Sequence, residues 1–132
     1  YCLLIEPETR TASWASAGHD PAIVYTPTTD TFTEFAGKDI PLGIEPVWDF
    51  KEFEAPLPSE GGVIVMGTDG IWEARNAEDE LFGKDRLRDT IKQSAHKSAD
   101  DIATDIIDAV VAFRAGEPQT DDITLLVLKV TA

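Results

Sequence analysis

The chain has 132 residues, 11 basic and 25 acidic, giving a net charge of −14 and a length that suits one domain. At 42% hydrophobic and 27% charged residues it lies in the globular range, away from the composition of disordered chains. A field this negative repels nucleic-acid backbones and anionic lipid headgroups. No basic patch relieves it, and the apolar runs at 63–66 and 125–128 fall short of the ~20 residues a membrane helix needs, so neither nucleic acid nor membrane is expected as a partner.

Turn residues punctuate the first fifty positions at short intervals: Glu6-Pro7-Glu8-Thr9, Gly18-His19-Asp20-Pro21, Thr26-Pro27-Thr28-Thr29-Asp30 and Gly37-Lys38-Asp39. The segments between them, 2–5, 12–17, 22–25 and 31–35, are apolar or β-branched and too short for stable helices, so they are predicted strands. Trp48, Phe50 and Phe53 have a spacing that slips from two to three, which predicts a bulged strand over 47–54. Pro56, Pro58, Gly61 and Gly62 mark a loop before 63–66, an unbroken apolar run expected to be a strand buried on both faces.

Helical spacing appears only later. Leu87 and Ile91 lie four apart in a predicted helix over 84–95, and Ser98 with Asp101 has the form of a capping box opening a second. That helix carries Ile102, Ile106, Ala109, Val110 and Phe113 on one stripe and is stopped by Gly116 and Pro118. The run 123–130 is apolar almost throughout and is expected as a central strand.

Cys2 is the single cysteine, so no internal disulfide forms, and a reducing cytoplasm is the expected compartment. Cys2 has no evident activating partner and is expected to be a small core residue, while Trp14, Trp48 and Trp72 are too scattered to define a ligand cage and are expected to pack in the core. The chain opens on Tyr1 and holds its one methionine at Met66, which predicts a piece of a longer protein.

Two acidic positions adjoin the most apolar strands: Asp69 follows 63–66, and Asp121-Asp122 precede 123–130. If those strands are antiparallel neighbours, carboxylates 52 positions apart in sequence meet at one sheet edge, where repulsion favours a neutralising cation. Oxygen-only ligands favour Mg²⁺ or Mn²⁺ over zinc. The spacing leaves a plainer reading open, since Thr-Asp-Gly is a common turn and Asp-Asp before a strand can be a solvated loop. His19 has the chemistry of a general acid or base, but a lone turn histidine is more often structural.

The ordered series Ala15-Ser16-Ala17-Gly18-His19-Asp20-Pro21-Ala22, Pro41-Leu42-Gly43-Ile44, Thr68-Asp69-Gly70-Ile71-Trp72-Glu73-Ala74-Arg75-Asn76, Leu81-Phe82-Gly83 and Thr120-Asp121-Asp122-Ile123-Thr124-Leu125 resembles the SpoIIE-type branch of the PPM (PP2C-like) protein phosphatases. The resemblance covers nearly the whole chain. It implies an α+β fold, an antiparallel β-sandwich flanked by helices, of which residues 1–132 are the C-terminal part of a single domain. It also implies a serine/threonine phosphoprotein phosphatase with two Mn²⁺ or Mg²⁺ ions, hydrolysing by in-line attack of a metal-bridged hydroxide without a covalent phosphoenzyme.

By position, Asp69 and Asp121 match the family's metal-binding aspartates, and Asp122 is a neighbouring metal or water-holding group. Gly70 is expected to permit the tight turn that aims Asp69 inward. The family's upstream acidic motifs are absent from this chain, so by itself it is expected to be inactive. The substrate the family suggests is a phosphorylated anti-sigma-factor antagonist. An alternative is a catalytically dead partner-binding module, and a weaker one is an acidic domain that binds a cation for stability. A half-sandwich with an uncovered apolar face is also expected to form a homo-oligomer.

Overall fold

Two hairpins open the chain. β1 (Cys2–Glu6) and β2 (Thr11–Ala15) are joined by a turn closing from Arg10 N–H to Pro7 O at 3.3 Å, with Arg10 in the left-handed region at φ 55°. β3 (Ala22–Thr26) and β4 (Thr31–Phe35) repeat the design around Asp30, whose φ is 52°. A computed structural model describes residues 1–131; beyond the hairpins come β5 (Phe53–Pro56), β6 (Val63–Gly67), α1 (Gly83–Ser94), α2 (Ala99–Arg114) and β7 (Leu125–Lys129). The strands form two antiparallel sheets, β1-β2-β5 and β4-β3-β6-β7.

Strand alternation sorts the core into two clusters. On β3 and β6, Ile23, Tyr25, Val63 and Val65 face the helices and meet Leu87 and Ile91 of α1 and Ile102, Ile106 and Val110 of α2. Val24 and Ile64 face the other way and pack between the sheets with Ala12, Trp14 and Phe35. Trp14 stacks on Phe35 at 4.4 Å between ring centroids, and its indole N–H donates to Ala36 O at 3.1 Å. Each buried isoleucine contributes roughly 1.5–3 kcal/mol through removal from water. The result is a helix–sheet–sheet stack: the α+β architecture expected, with its described helices over one sheet.

Ser98 caps α2 as expected, with Asp101 N–H donating to Ser98 Oγ at 3.1 Å. The reciprocal bond differs from a capping box: the Asp101 carboxylate accepts the Ser98 hydroxyl at 2.7 Å rather than the Ser98 backbone N–H. Asp100 and Asp101 add negative charge at the positive end of the α2 dipole. At its other end Ala115 adopts φ 50° and Gly116 φ 99°, which ends the helix.

Four expectations are corrected. Among the described residues β7 pairs only with β6 and lies at the edge of its sheet, not in the centre, and Leu126 is 51% exposed. Its apolar composition suggested burial on both sides, but burial follows from neighbours, and β7 has one.

Residues 47–52 form no strand, because β2 pairs with β5 only from Thr11↔Pro56 to Trp14↔Phe53, and β2 ends at Ala15. Trp48 is accordingly exposed in a loop. Cys2 is exposed too: on β1 the inward positions are Leu3 and Ile5, which turns Cys2, Leu4 and Glu6 outward. No helix among the described residues is long and apolar enough to cross a membrane.

Candidate functional site

The β6–β7 pairing runs from Val63↔Lys129 to Gly67↔Leu125, so the end of β6 lies beside the start of β7. Asp69 therefore sits two residues beyond one strand end, opposite Asp121 and Asp122 ahead of the other, and all three side chains are exposed. The two loops expected to be neighbours are neighbours.

Thr68 holds it in place. Its N–H donates to Thr124 O at 3.1 Å, its hydroxyl donates to Asp122 O at 2.9 Å, and the same hydroxyl accepts Thr124 N–H at 2.9 Å. The Asp69 turn is closed by Ile71 N–H to Thr68 O at 3.1 Å and Glu73 N–H to Asp69 O at 2.8 Å. Gly70 is needed for a different reason from the one expected: its φ is not in the left-handed region, but a Cβ there would lie 2.6 Å from Asp122 O and 3.4 Å from Asp121 O. Glycine lets the two acidic loops touch through their backbones.

A third segment reaches the same end. Because β3 pairs antiparallel with β6, the loop ahead of β3 lies beside the loop after β6. Gly18, His19, Asp20, Thr68 and Asp69 line a cavity of about 150 Å³. Ser16, 1% exposed, donates its hydroxyl to His19 O at 3.0 Å. His19 Nδ1 lies 2.7 Å from Asp20 O, a carbonyl that can only accept, so Nδ1 is the donor of that bond.

Asp20 is ion-paired to Lys84 of α1 at 3.1 Å, and the Lys84 ammonium sits 4.7 Å from the centre of the Trp72 ring. Tyr1 lies 5.7 Å from the His19 ring, and burial pushes its phenol up to about 12 despite a favourable backbone hydrogen bond. It stays protonated at working pH and offers no base to the site.

The carboxylates of Asp69, Asp121 and Asp122 are an oxygen-only donor set, which suits a hard cation such as Mg²⁺ or Mn²⁺. One Asp121 oxygen is already engaged, accepting Asp122 N–H at 2.7 Å. Among the described residues no group of three or more histidine, cysteine, aspartate or glutamate side chains is placed to hold a metal ion.

The family model for stage II sporulation protein E (SpoIIE) matches residues 1–131. The chain belongs to the SpoIIE family. It is 32% identical over 117 residues to the phosphoserine phosphatase RsbU of Bacillus subtilis (strain 168), a match covering 89% of this chain and 34% of RsbU.

Among solved structures it resembles the SiaA PP2C domain of Pseudomonas aeruginosa, with TM-score 0.83, 21% identity, and 97% of this chain on 50% of that one. It also resembles the manganese-presoaked phosphatase domain of SpoIIE from Bacillus subtilis, with TM-score 0.73, 16% identity, and 98% of this chain on 55% of that one. These two likenesses establish the PP2C-like fold. The chain thus spans about a third of RsbU and about half of the solved domains.

Within this SpoIIE-family chain, reasoning from spacing found both acidic turns but missed that the Gly18–Asp20 loop forms a wall beside Asp69. The signal that could have found it was strand pairing: once β3 is placed next to β6, the loop ahead of β3 must fall at the Asp69 end. Lys84 carried no sequence signal, and Thr68 stood in the Thr68-Asp69-Gly70 motif without its tie to Asp122 and Thr124 being legible, since both roles arise from tertiary contact.

Proposed function

We propose that this chain is the C-terminal part of a metal-dependent protein serine/threonine phosphatase domain, in which Asp69 and Asp121 are metal ligands and Asp122 lies beside them. The observation that carries the reading is the adjacency of the Asp69 loop and the Asp121-Asp122 loop at one sheet edge, tied together by Thr68, in a chain of the SpoIIE family. In this reading further ligands come from parts of the domain outside these residues, since the chain spans about half of the solved domains it matches. When bound, Mn²⁺ or Mg²⁺ ions activate water and neutralise charge on the phosphoryl oxygens.

The chain's own residues prepare that edge. Thr68 fixes the separation of the two acidic loops, Gly70 permits their contact, and the His19 loop walls one side through its tie to Lys84. The substrate class is a protein phosphorylated on serine or threonine, the finer choice being an anti-sigma-factor antagonist, in the bacterial cytoplasm. Relatedness to the phosphoserine phosphatase RsbU supports the phosphoserine part of this reading.

The test is hydrolysis of p-nitrophenyl phosphate by the complete phosphatase with Mn²⁺. Asp69→Asn and Asp121→Asn are each expected to lower kcat by ~10²-fold or more while circular dichroism is unchanged, because an anionic ligand is lost and carboxylate repulsion is relieved. Residues 1–132 alone are expected to turn over no faster than buffer. Near-normal turnover of both variants at limiting Mn²⁺ moves the metal site elsewhere.

A further inference from the structure

The first turn of α1 breaks a local rule. The positive end of a helix dipole favours acidic side chains and disfavours cations, yet Lys84 is the second residue of α1, and Phe82 at the cap offers no side-chain hydrogen bond. Where a residue opposes its own helix, tertiary contact has to account for its position.

Lys84 meets two segments. Its ammonium is 3.1 Å from the Asp20 carboxylate and 4.7 Å from the centre of the Trp72 ring. The backbone beside it is fastened to the stretch that carries Trp72: Gly83 N–H donates to Trp72 O at 2.9 Å, and Phe82 N–H to Ala74 O at 2.8 Å. Ile71, Ala74 and Phe82 are buried in the helix-side core, so Lys84 reaches out from a close-packed base.

These contacts close a ring. The Asp69 turn leads into Trp72 and Ala74, these hold the start of α1, and Lys84 crosses from there to Asp20. The Gly18–Asp20 loop then returns to Asp69 as the other wall of their shared cavity. Thr68 ties the Asp69 turn to the Asp121-Asp122 loop, and Lys84 ties it to the Gly18–Asp20 loop. Pairing also neutralises Asp20, which would otherwise add a second free anion to a cavity that Asp69 already lines. Both partners of Lys84 belong to this chain.

The same helix supplies a control. Lys84, Arg88 and Lys92 recur every four residues, and each pairs with the β3–β4 hairpin or the loop ahead of it: Lys84 with Asp20, Arg88 with Glu34 at 3.0 Å, and Lys92 with Asp30 at 2.6 Å. Asp30 lies in the turn after β3, at the end of that strand away from the Asp69 cavity. The Lys84 and Lys92 pairs are both open to solvent, where such pairs add little to stability, so they differ chiefly in what they hold.

We propose that Lys84 is a positioning residue for the acidic edge: it clamps the Gly18–Asp20 loop to the Asp69 turn, and without it the two walls part while the fold persists. This deepens the phosphatase reading above and rests on it for the effect on turnover.

The complete phosphatase is compared with its Lys84→Met, Lys84→Arg, Asp20→Asn and Lys92→Met variants. Hydrogen exchange read by mass spectrometry is expected to run ~10-fold faster over residues 17–20 in Lys84→Met, and to be unchanged there in Lys92→Met. With p-nitrophenyl phosphate and Mn²⁺, Lys84→Met is expected to lower kcat at least ~5-fold with KM within ~2-fold, the pattern of a displaced reacting group rather than of lost binding. Lys84→Arg, which keeps both the ion pair and the ring contact, should recover most of that loss. Asp20→Asn breaks the same pair from its other end and should match Lys84→Met, and it carries the test if Lys84→Met does not fold. Lys92→Met should keep the unsubstituted rate, with a urea midpoint equal to that of Lys84→Met.

The proposal is overturned if breaking the Lys84–Asp20 pair leaves exchange over 17–20 or kcat unchanged, if Lys92→Met lowers kcat as far, or if Lys84→Arg recovers nothing. It is also overturned if kcat falls only in step with the urea midpoint, which makes Lys84 a structural residue. If the unsubstituted protein turns over no p-nitrophenyl phosphate, the phosphatase reading falls, and hydrogen exchange alone decides whether the clamp exists.

Discussion

Replacing Gly70 with alanine tests whether the two acidic loops must touch. The new Cβ would lie 2.6 Å from Asp122 O and 3.1 Å from Asp122 C, against an ordinary contact of 3.4 Å or more, so the 121–122 backbone has to retreat by about 0.8 Å. These are backbone atoms, and no side-chain rotation relieves the clash. Overpacking of this kind costs about 1–3 kcal/mol. The retreat also stretches the hydrogen bond from the Thr68 hydroxyl to Asp122 O, worth about 1 kcal/mol.

The sum is a loss of about 2–4 kcal/mol of stability, read from urea denaturation of the complete phosphatase. Activity should fall further than stability implies, since a displacement near 1 Å at a reacting centre can cost ~10²-fold in rate. Gly43→Ala is the control. Gly43 sits at φ 86° with nothing within 4 Å of the added methyl, so backbone strain alone costs it about 1 kcal/mol. A Gly70→Ala protein with an unchanged urea midpoint and full turnover would refute the contact argument.

Three other outcomes follow from the packing and the charges. Ile106→Ala, at a fully buried position on α2, should lose about 2–5 kcal/mol in urea denaturation; a loss under 1 kcal/mol would remove α2 from the core. Asp30 is held below the ordinary carboxylate range by hydrogen bonds from Lys92 first and Tyr25 second. Its contribution is therefore present above its unfolded pKa of about 3.9 and lost as pH falls through the lower folded value; Asp30→Asn should flatten that arm of the stability profile, and an unaltered acid limb speaks against it. Residues 1–132 alone, with the outer edge of β7 unpaired and Leu126 half exposed, should form a dimer or larger species by light scattering in about 150 mM salt, where repulsion is screened beyond roughly 8 Å; a stable monomer at micromolar concentration counters this.

The hairpins were readable because Pro7 to Arg10 and Pro27 to Asp30 are turn sequences that leave few alternatives between short apolar runs. The 63–66 strand was readable because a short β-branched apolar run bounded by Gly61-Gly62 and Gly67 suits a sheet between two layers, which buries Val63, Ile64 and Val65 together. Adjacency of the Asp69 loop and the Asp121-Asp122 loop needed one topological guess, that the two apolar strands are neighbours.

The errors share a cause. Trp48, Cys2 and the 123–130 run were placed by what their side chains prefer, whereas exposure is decided by what lies opposite. β2 has no residues left to pair with 47–52, β1 points Leu3 and Ile5 inward in place of Cys2, and β7 has β6 on one side only. The His19 wall and the Thr68 lock depend on contacts between segments about fifty residues apart, which local pattern does not encode.

β3 and β6 serve as a party wall between the two hydrophobic clusters, with Ile23, Tyr25, Val63 and Val65 on one side and Val24 and Ile64 on the other. Neither cluster can close without strands that the other also requires, so they cannot melt in separate steps. Unfolding of this region is therefore a single cooperative event, in which loss of helix and loss of the Trp14 environment coincide. The acidic edge is attached to the same wall through Gly67 and Leu125, so the geometry of the site persists as long as the whole unit does.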